Sequence, residues 1–214
     1  MKKSLAAVYL TFLVSVGFAQ YDPKALEILE AMSKKYKAIP AFEANFSYTL
    51  TNDMDKINEE FKGKMVVKGN KFRLVLPEQE VVNDGATVWT YLPEAKEVNI
   101  DNADPESNEV NPSKFYDMYK KGYKYLSLGE QTEGGVLCDI VDLVPEKKDA
   151  QYFKIKMMIA RKDRSVVSFT MFDKTGNRFK YTITKFSPNA KIEDSDFVFD
   201  VKKYPGTEVI ELRH

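Results

Sequence analysis

From Gly63 to Val98 the chain reads GKMVVKGNKFRLVLPEQEVVNDGATVWTYLPEAKEV, and its apolar side chains recur at every second position. Met65 and Val67, then Phe72, Leu74 and Leu76, then Trp89 and Tyr91 each fall on one parity. A period of two places each group on one face of a pleated strand, whereas an amphipathic helix would need a period of 3.6. Asn83-Asp84-Gly85 supplies the positive-φ residues of a tight hairpin turn. The spacing predicts three alternating strands in a curved antiparallel sheet, all seven side chains sharing one inner face. Nothing catalytic interrupts that face, so it either packs a core or binds something apolar.

The same logic extends in both directions. Phe42, Phe46, Tyr48 and Leu50 share a parity, and Phe61, Met65 and Val67 return on the next strand. Beyond Gly134-Gly135 come Val136 to Val144, then Phe153, Ile155, Met157 and Ile159, then Val167, Phe169 and Met171, then Phe179, Tyr181 and Ile183, with polar turns between them. Two helices interrupt the series. Asp22-Pro23 is an N-cap followed by proline at the first helical position, and Leu26, Leu29, Met32 and Tyr36 continue at helical spacing until Pro40. Pro112 opens a second, shorter helix with Phe115, Met118 and Tyr119 at i, i+3 and i+4. Between them lies an acidic loop, Asp101 to Glu109, without the glycine and ligand spacing of a calcium hand. The expected architecture is one α+β domain over 20–214: a long, strongly curved antiparallel sheet wrapped around helices near 23–38 and 112–121.

The remaining composition narrows the chemistry. His214 is the sole histidine and Cys138 the sole cysteine, so a Ser-His-Asp or Cys-His centre, a Cys/His metal site and an internal disulfide all lack their parts. Phosphate-cradling loops, dinucleotide fingerprints and nucleophile elbows are missing from the sequence. Cys138 sits in Val136-Leu137-Cys138-Asp139-Ile140 and reads as a small buried hydrophobe. Thus no enzyme and no cofactor is expected. Lysine plus arginine equals aspartate plus glutamate at 32 each, a balance that argues against nucleic acid as a partner. Met1 to Ala19 has the form of a secretory leader: Lys2-Lys3, an apolar run from Leu5 to Val16, and Gly17-Phe18-Ala19 before a cleavage point. No cysteine follows it to carry a lipid, so a soluble extracytoplasmic protein is expected.

Taken in order, Gly63, Asn70-Lys71-Phe72-Arg73, Asp84-Gly85 and Trp89-Thr90-Tyr91 resemble the signature of the periplasmic lipoprotein carriers of the LolA type. Phe197-Val198-Phe199 with Pro205-Gly206 and Val209 resembles that family's closing strand, and Asn111 to Phe115 its middle helix. The resemblance implies an incomplete barrel, a lid of short helices, and a cavity between them for the acyl chains of a lipoprotein. It makes Phe46, Tyr48, Leu50, Met65, Val67, Phe72, Leu74, Leu76, Trp89 and Tyr91 the candidate lining, and Met32, Phe115, Met118 and Tyr119 the lid face. Acylated lipoproteins or another amphiphile would be the cargo of a periplasmic monomer. An inner-membrane ABC transporter would load it and an outer-membrane acceptor would unload it. A protein-binding module on the same fold is the alternative from another class. Many relatives carry an Arg-Pro whose arginine ties the lid down; Gly69 stands there, so the lid must close by packing or another donor. Arg73 shares parity with Lys71, opposite Phe72 and Leu74, and is expected to point away from the cavity.

Overall fold

Twelve strands hydrogen-bond into one sheet in the computed structural model, which describes residues 21–104 and 111–213. The leader, residues 105–109 of the acidic loop, and His214 lie outside the described residues. The strands are β1 (Ala41–Asn52), β2 (Ile57–Lys68), β3 (Lys71–Val75), β4 (Glu80–Asn83), β5 (Thr87–Leu92), β6 (Glu97–Asn102), β7 (Tyr123–Glu133), β8 (Val136–Pro145), β9 (Tyr152–Ala160), β10 (Val166–Asp173), β11 (Arg178–Pro188) and β12 (Glu208–Glu211). In space they run β12-β6-β5-β4-β3-β2-β1-β11-β10-β9-β8-β7. Two runs of hairpins are thus joined through β1 and β11. The end strands β7 and β12 do not pair with each other, so the curved sheet stays an open, incomplete barrel. Among the twelve strands every pairing is antiparallel except β12 on β6, which is parallel. Among the described residues no helix is long and apolar enough to cross a membrane.

Register decides which side chains meet, because residues directly opposite each other share a face. One face carries the rows Ala44–Met65–Leu74–Val81 and Phe42–Val67–Phe72–Asn83. Beyond β1 the same face continues through Tyr48–Tyr181–Phe169–Met157–Val141. Four expectations change here. Glu80–Asn83 forms the extra strand β4, too short to show alternation and defined by pairing on both sides. Its register puts Trp89 opposite Val82 and Arg73, and Tyr91 opposite Glu80, so Trp89 and Tyr91 lie on the outer face, not the inner one. Val167 falls in a bulge between Val166 and Ser168, which gives the inner position to Val166. Phe153 also leaves its stripe: it is exposed and lies against Phe172 at the start of β9, where the register with β10 shifts.

The outer face is covered in two places. Trp89, Tyr91, Val82 and Val98 pack under Phe199, Val201 and Tyr204 of the C-terminal segment. Phe197-Val198-Phe199 is therefore not a closing strand. Asp194–Phe197 and Val201–Lys203 are short 3-10 helices crossing the sheet, and β12 supplies the edge strand. Arg73 stands on this side, donating from Nε to Glu80 Oε1 at 2.6 Å and from Nη1 to the Asp196 carbonyl at 3.1 Å. At the other end Glu133, at the tip of the β7–β8 hairpin, pairs with Lys180 of β11 at 2.9 Å. Cys138, Ile140 and Met158 are buried in an outer-face cluster of their own, and burial pushes the Cys138 thiol pKa up.

The inner face is covered by helices. Asp22 caps α1 (Pro23–Lys37) by accepting the Lys24 N–H at 2.8 Å. The same carboxylate accepts the Ser127 N–H at 2.9 Å, while the Asp22 N–H donates to the Tyr125 carbonyl at 3.3 Å. One residue therefore starts the helix and blocks part of the free edge of β7, where unpaired backbone would invite another chain. Ala25, Ile28, Leu29, Met32 and Tyr36 bury against Val141, Leu143, Ile155, Met157 and Ile159. The second helix, Phe115–Lys120, is 3-10.

Candidate functional site

Helix α1 covers the β7–β10 half of the inner face and leaves the rest less protected. The open part is an apolar trough running along β1 toward its hairpin with β2. Phe46, Tyr48 and Leu76 are buried in it, with Leu50, Phe61, Met65, Leu74, Phe179, Tyr181 and Ile183 half-buried around them. Its aromatic rings form a continuous run of contacts: Tyr48 lies 4.9 Å from Tyr181 and 5.9 Å from Phe61, and Tyr181 lies 4.7 Å from Phe169. Gly63, opposite Phe46 on β2, makes room for this layer; a Cβ there would sit 2.3 Å from Phe46 Cζ. Toward α1 the trough merges with the cluster of Phe42, Ala44, Val67 and Phe72, over which Phe115 of the 3-10 helix lies.

Eight of the ten candidate lining residues are thus brought to one surface: Phe46, Tyr48, Leu50, Met65, Val67, Phe72, Leu74 and Leu76. The lid residues divide. Met32 is wholly buried under α1, while Phe115 and Met118 point into the sheet with Ile155, Met157, Phe169 and Met171. The void they enclose is about 10 Å³, no more than one water could use. Tyr119 turns elsewhere, toward a cavity of about 250 Å³ shared with Tyr21, Leu26, Glu30, Tyr123 and Tyr125. A 3-10 helix has three residues per turn, so positions i and i+3 eclipse and i+4 rotates away. The α-helical pairing of Phe115 with Tyr119 therefore does not form.

The 3-10 helix is held to α1 by packing and by one carboxylate. Phe115 meets Tyr36 edge-on at 4.9 Å and Tyr116 stacks on it at 6.0 Å. Asp117 accepts from Ser33 Oγ at 2.6 Å, pairs with Lys37 at 2.7 Å and with Lys120 at 2.9 Å. Burial alone would raise the Asp117 pKa, but the hydrogen bonds from Lys37, Ser33 and Lys120 outweigh it and leave the carboxyl below its ordinary value. From the same last turns of α1, Lys35 reaches Asp163 at 2.7 Å and the Tyr36 hydroxyl accepts the Val166 N–H at 3.0 Å. Sequence reasoning passed over Ser33 and Asp117. The available signal was a serine on the apolar stripe of α1 between Leu29 and Tyr36, since a buried hydroxyl requires a partner. It also left Phe169, Phe179, Tyr181 and Ile183 out of the candidate lining, because only the β1–β11 pairing brings them beside Tyr48.

Residues 37–200, well over half of the chain, match the model of the family described as outer membrane lipoprotein carrier protein LolA. The chain belongs to the LolA family. It is 25% identical over 171 residues to the outer-membrane lipoprotein carrier protein of Shewanella pealeana, covering 78% of each chain. To the protein of that description from Shewanella halifaxensis it is 23% identical over 205 residues, covering 94% of this chain and 93% of the relative. Among solved structures, an uncharacterized conserved protein from Thermus thermophilus superposes with a TM-score of 0.56 at 14% identity, covering 88% of this chain and 99% of that one. A structure of the Pseudomonas aeruginosa MucA/MucB complex gives a TM-score of 0.50 at 14% identity, covering 84% of this chain and 62% of the matched one. At these identities the two structures speak for the fold alone. In this LolA-family chain, the polar tie between lid helices runs through Asp117, while Gly69 occupies the β2–β3 turn at φ 61°.

Proposed function

We propose that this chain is a periplasmic carrier, secreted by its leader, that shelters the acyl chains of lipoproteins on its inner face and moves them from the inner to the outer membrane. One observation carries the reading. The aromatic trough is half-buried and continuous with apolar surface beneath a 3-10 helix held by a single carboxylate and a few rings. The carrier descriptions of its relatives support the cargo class. The mechanism is non-covalent and contains no catalytic step. Each methylene withdrawn from water contributes about 0.8 kcal/mol, so a chain of about sixteen carbons gains on the order of 12 kcal/mol gross. Displacing Phe115 and Met118 and ordering the chain offset much of that, which keeps release feasible. The carrier acts as a monomer, receives cargo from an inner-membrane ABC transporter and delivers it to an outer-membrane acceptor.

The test is native mass spectrometry of the protein recovered from the periplasm of a host secreting it, followed by organic extraction. A bound acylated polypeptide supports the reading. A bound lipid without polypeptide converts it to carriage of another amphiphile, and a protein that is empty and takes up no fluorescent acyl probe sinks it.

A further inference from the structure

Three tyrosines, Tyr48, Tyr152 and Tyr181, are linked by ring contacts at the hairpin end of the trough, and the carriage of acyl chains gives their hydroxyls no role. Tyr48 and Tyr181 face each other across β1 and β11 with ring centroids 4.9 Å apart. Phe179 stacks on Tyr48 at 6.3 Å and takes Tyr152 edge-on at 5.8 Å, so it links Tyr152 to the Tyr48–Tyr181 pair. Among the described residues, none of the three hydroxyls has a hydrogen-bond partner, and none is among the sealed polar atoms. They are donors held in an apolar wall with access to the trough. Burial raises the Tyr48 pKa to about 12, with Glu78, Tyr152 and Glu59 adding to it; burial also raises Tyr181, with Tyr48, Tyr152 and Glu78 adding. The raised values keep the phenols protonated at neutral pH, and Glu59 stands opposite Leu50, one step along the same face from the Tyr48–Phe61 pair.

The geometry points to a polar subsite, formed by Tyr48, Tyr152 and Tyr181, for the neutral ester or amide carbonyl at which an acyl chain joins its head group. This assignment rests on the carrier reading and names the cargo chemistry it favours. A carbonyl is an acceptor without charge, matched by phenol donors that no other group of the described residues engages. A free fatty-acid carboxylate would have to give up its hydration against the apolar wall beside these phenols, with the like charge of Glu59 at the exposed rim, and would be disfavoured. An alkane would displace solvent from the hydroxyls and offer them no acceptor in return. The subsite thus separates acylated cargo from free fatty acid, which an apolar trough alone cannot do.

Titration of the full-length mature protein with three pyrene probes of equal chain length, a monoacylglycerol, the free acid at pH 8 and the alkane, tests this. The ester is expected to bind about tenfold more tightly than either of the others, the scale of one or two hydrogen bonds. Substitution of all three tyrosines, Y48F/Y152F/Y181F, keeps the rings and should bring ester affinity to within about twofold of the same variant's affinity for the alkane. Each single Phe variant should lose part of the preference, which guards against misfolding of the triple variant. An ester preference that survives the triple substitution, or its absence in the wild type while alkane still binds, overturns the subsite. Failure of all three probes to bind removes the carrier reading itself.

Discussion

Replacing Asp117 with Ala should loosen the lid and tighten acyl binding, an outcome opposite to the usual effect of breaking a contact. Ser33 is 3% exposed and donates to Asp117 at 2.6 Å, so losing the acceptor strands a buried hydroxyl at a cost of about 1–3 kcal/mol. Lys37 and Lys120 are nearly half exposed, and their ion pairs add only about 0–1 kcal/mol. The closed arrangement is therefore weakened by about 2 kcal/mol, which raises the fraction with a displaced 3-10 helix roughly 5- to 30-fold. The void beneath that helix is about 10 Å³, so a long chain cannot lie there until the helix moves. When the competent state is the minor one, apparent affinity scales with its population, and the dissociation constant should fall by the same factor. Asp117→Asn retains an acceptor for Ser33 and should shift affinity only slightly. Pyrene-acyl titration beside urea unfolding measures both quantities. Loss of about 2 kcal/mol of stability with unchanged or weaker acyl binding would refute the idea that this helix gates the trough.

Other changes probe the trough and its surroundings. Gly63→Ala would place a Cβ 2.3 Å from Phe46 and 2.9 Å from Leu76; it should cost about 1–3 kcal/mol by overpacking and reduce acyl binding, read by unfolding and titration. Leu74→Ala, at a half-buried trough position, should cost less than the roughly 2–5 kcal/mol expected for Leu143→Ala in the core, and only the former should weaken acyl binding directly. Arg73→Ala, on the outer face, should lower stability by leaving the Glu80 carboxylate short of a donor, yet leave probe uptake near wild type. Burial raises the Asp163 carboxyl, but hydrogen bonds from Lys35 and Ser165 outweigh it and bring its pKa to about 2. Because the folded value lies below the ordinary 3.8, the Lys35–Asp163 tie is fully stabilising above that value and is lost as pH falls toward 2. The stability difference between wild type and Asp163→Asn should be flat from about pH 5 to 8 and shrink below about pH 4, measured by urea unfolding at each pH.

The sequence alone determined the features that depend on near neighbours. Period-two runs such as Phe42 to Leu50 and Phe72 to Leu76 specify strands, because successive side chains on a pleat point to opposite sides. Asp22-Pro23 specifies the start of α1, because a cap satisfies an N–H two residues away. Even the outward direction of Arg73 followed from its own strand's parity. Tertiary structure decided how one strand's face relates to the next. Whether Trp89 joins Phe72 or opposes it depends on the register through β4, a strand of four residues with too little alternation to announce itself. The bulge at Val167 and the 3-10 winding that separates Tyr119 from Phe115 reverse side chains by one step in the same way. The aromatic trough depends on β1 meeting β11 across more than a hundred residues, a pairing that no local pattern encodes because it is set by the closure of the whole sheet.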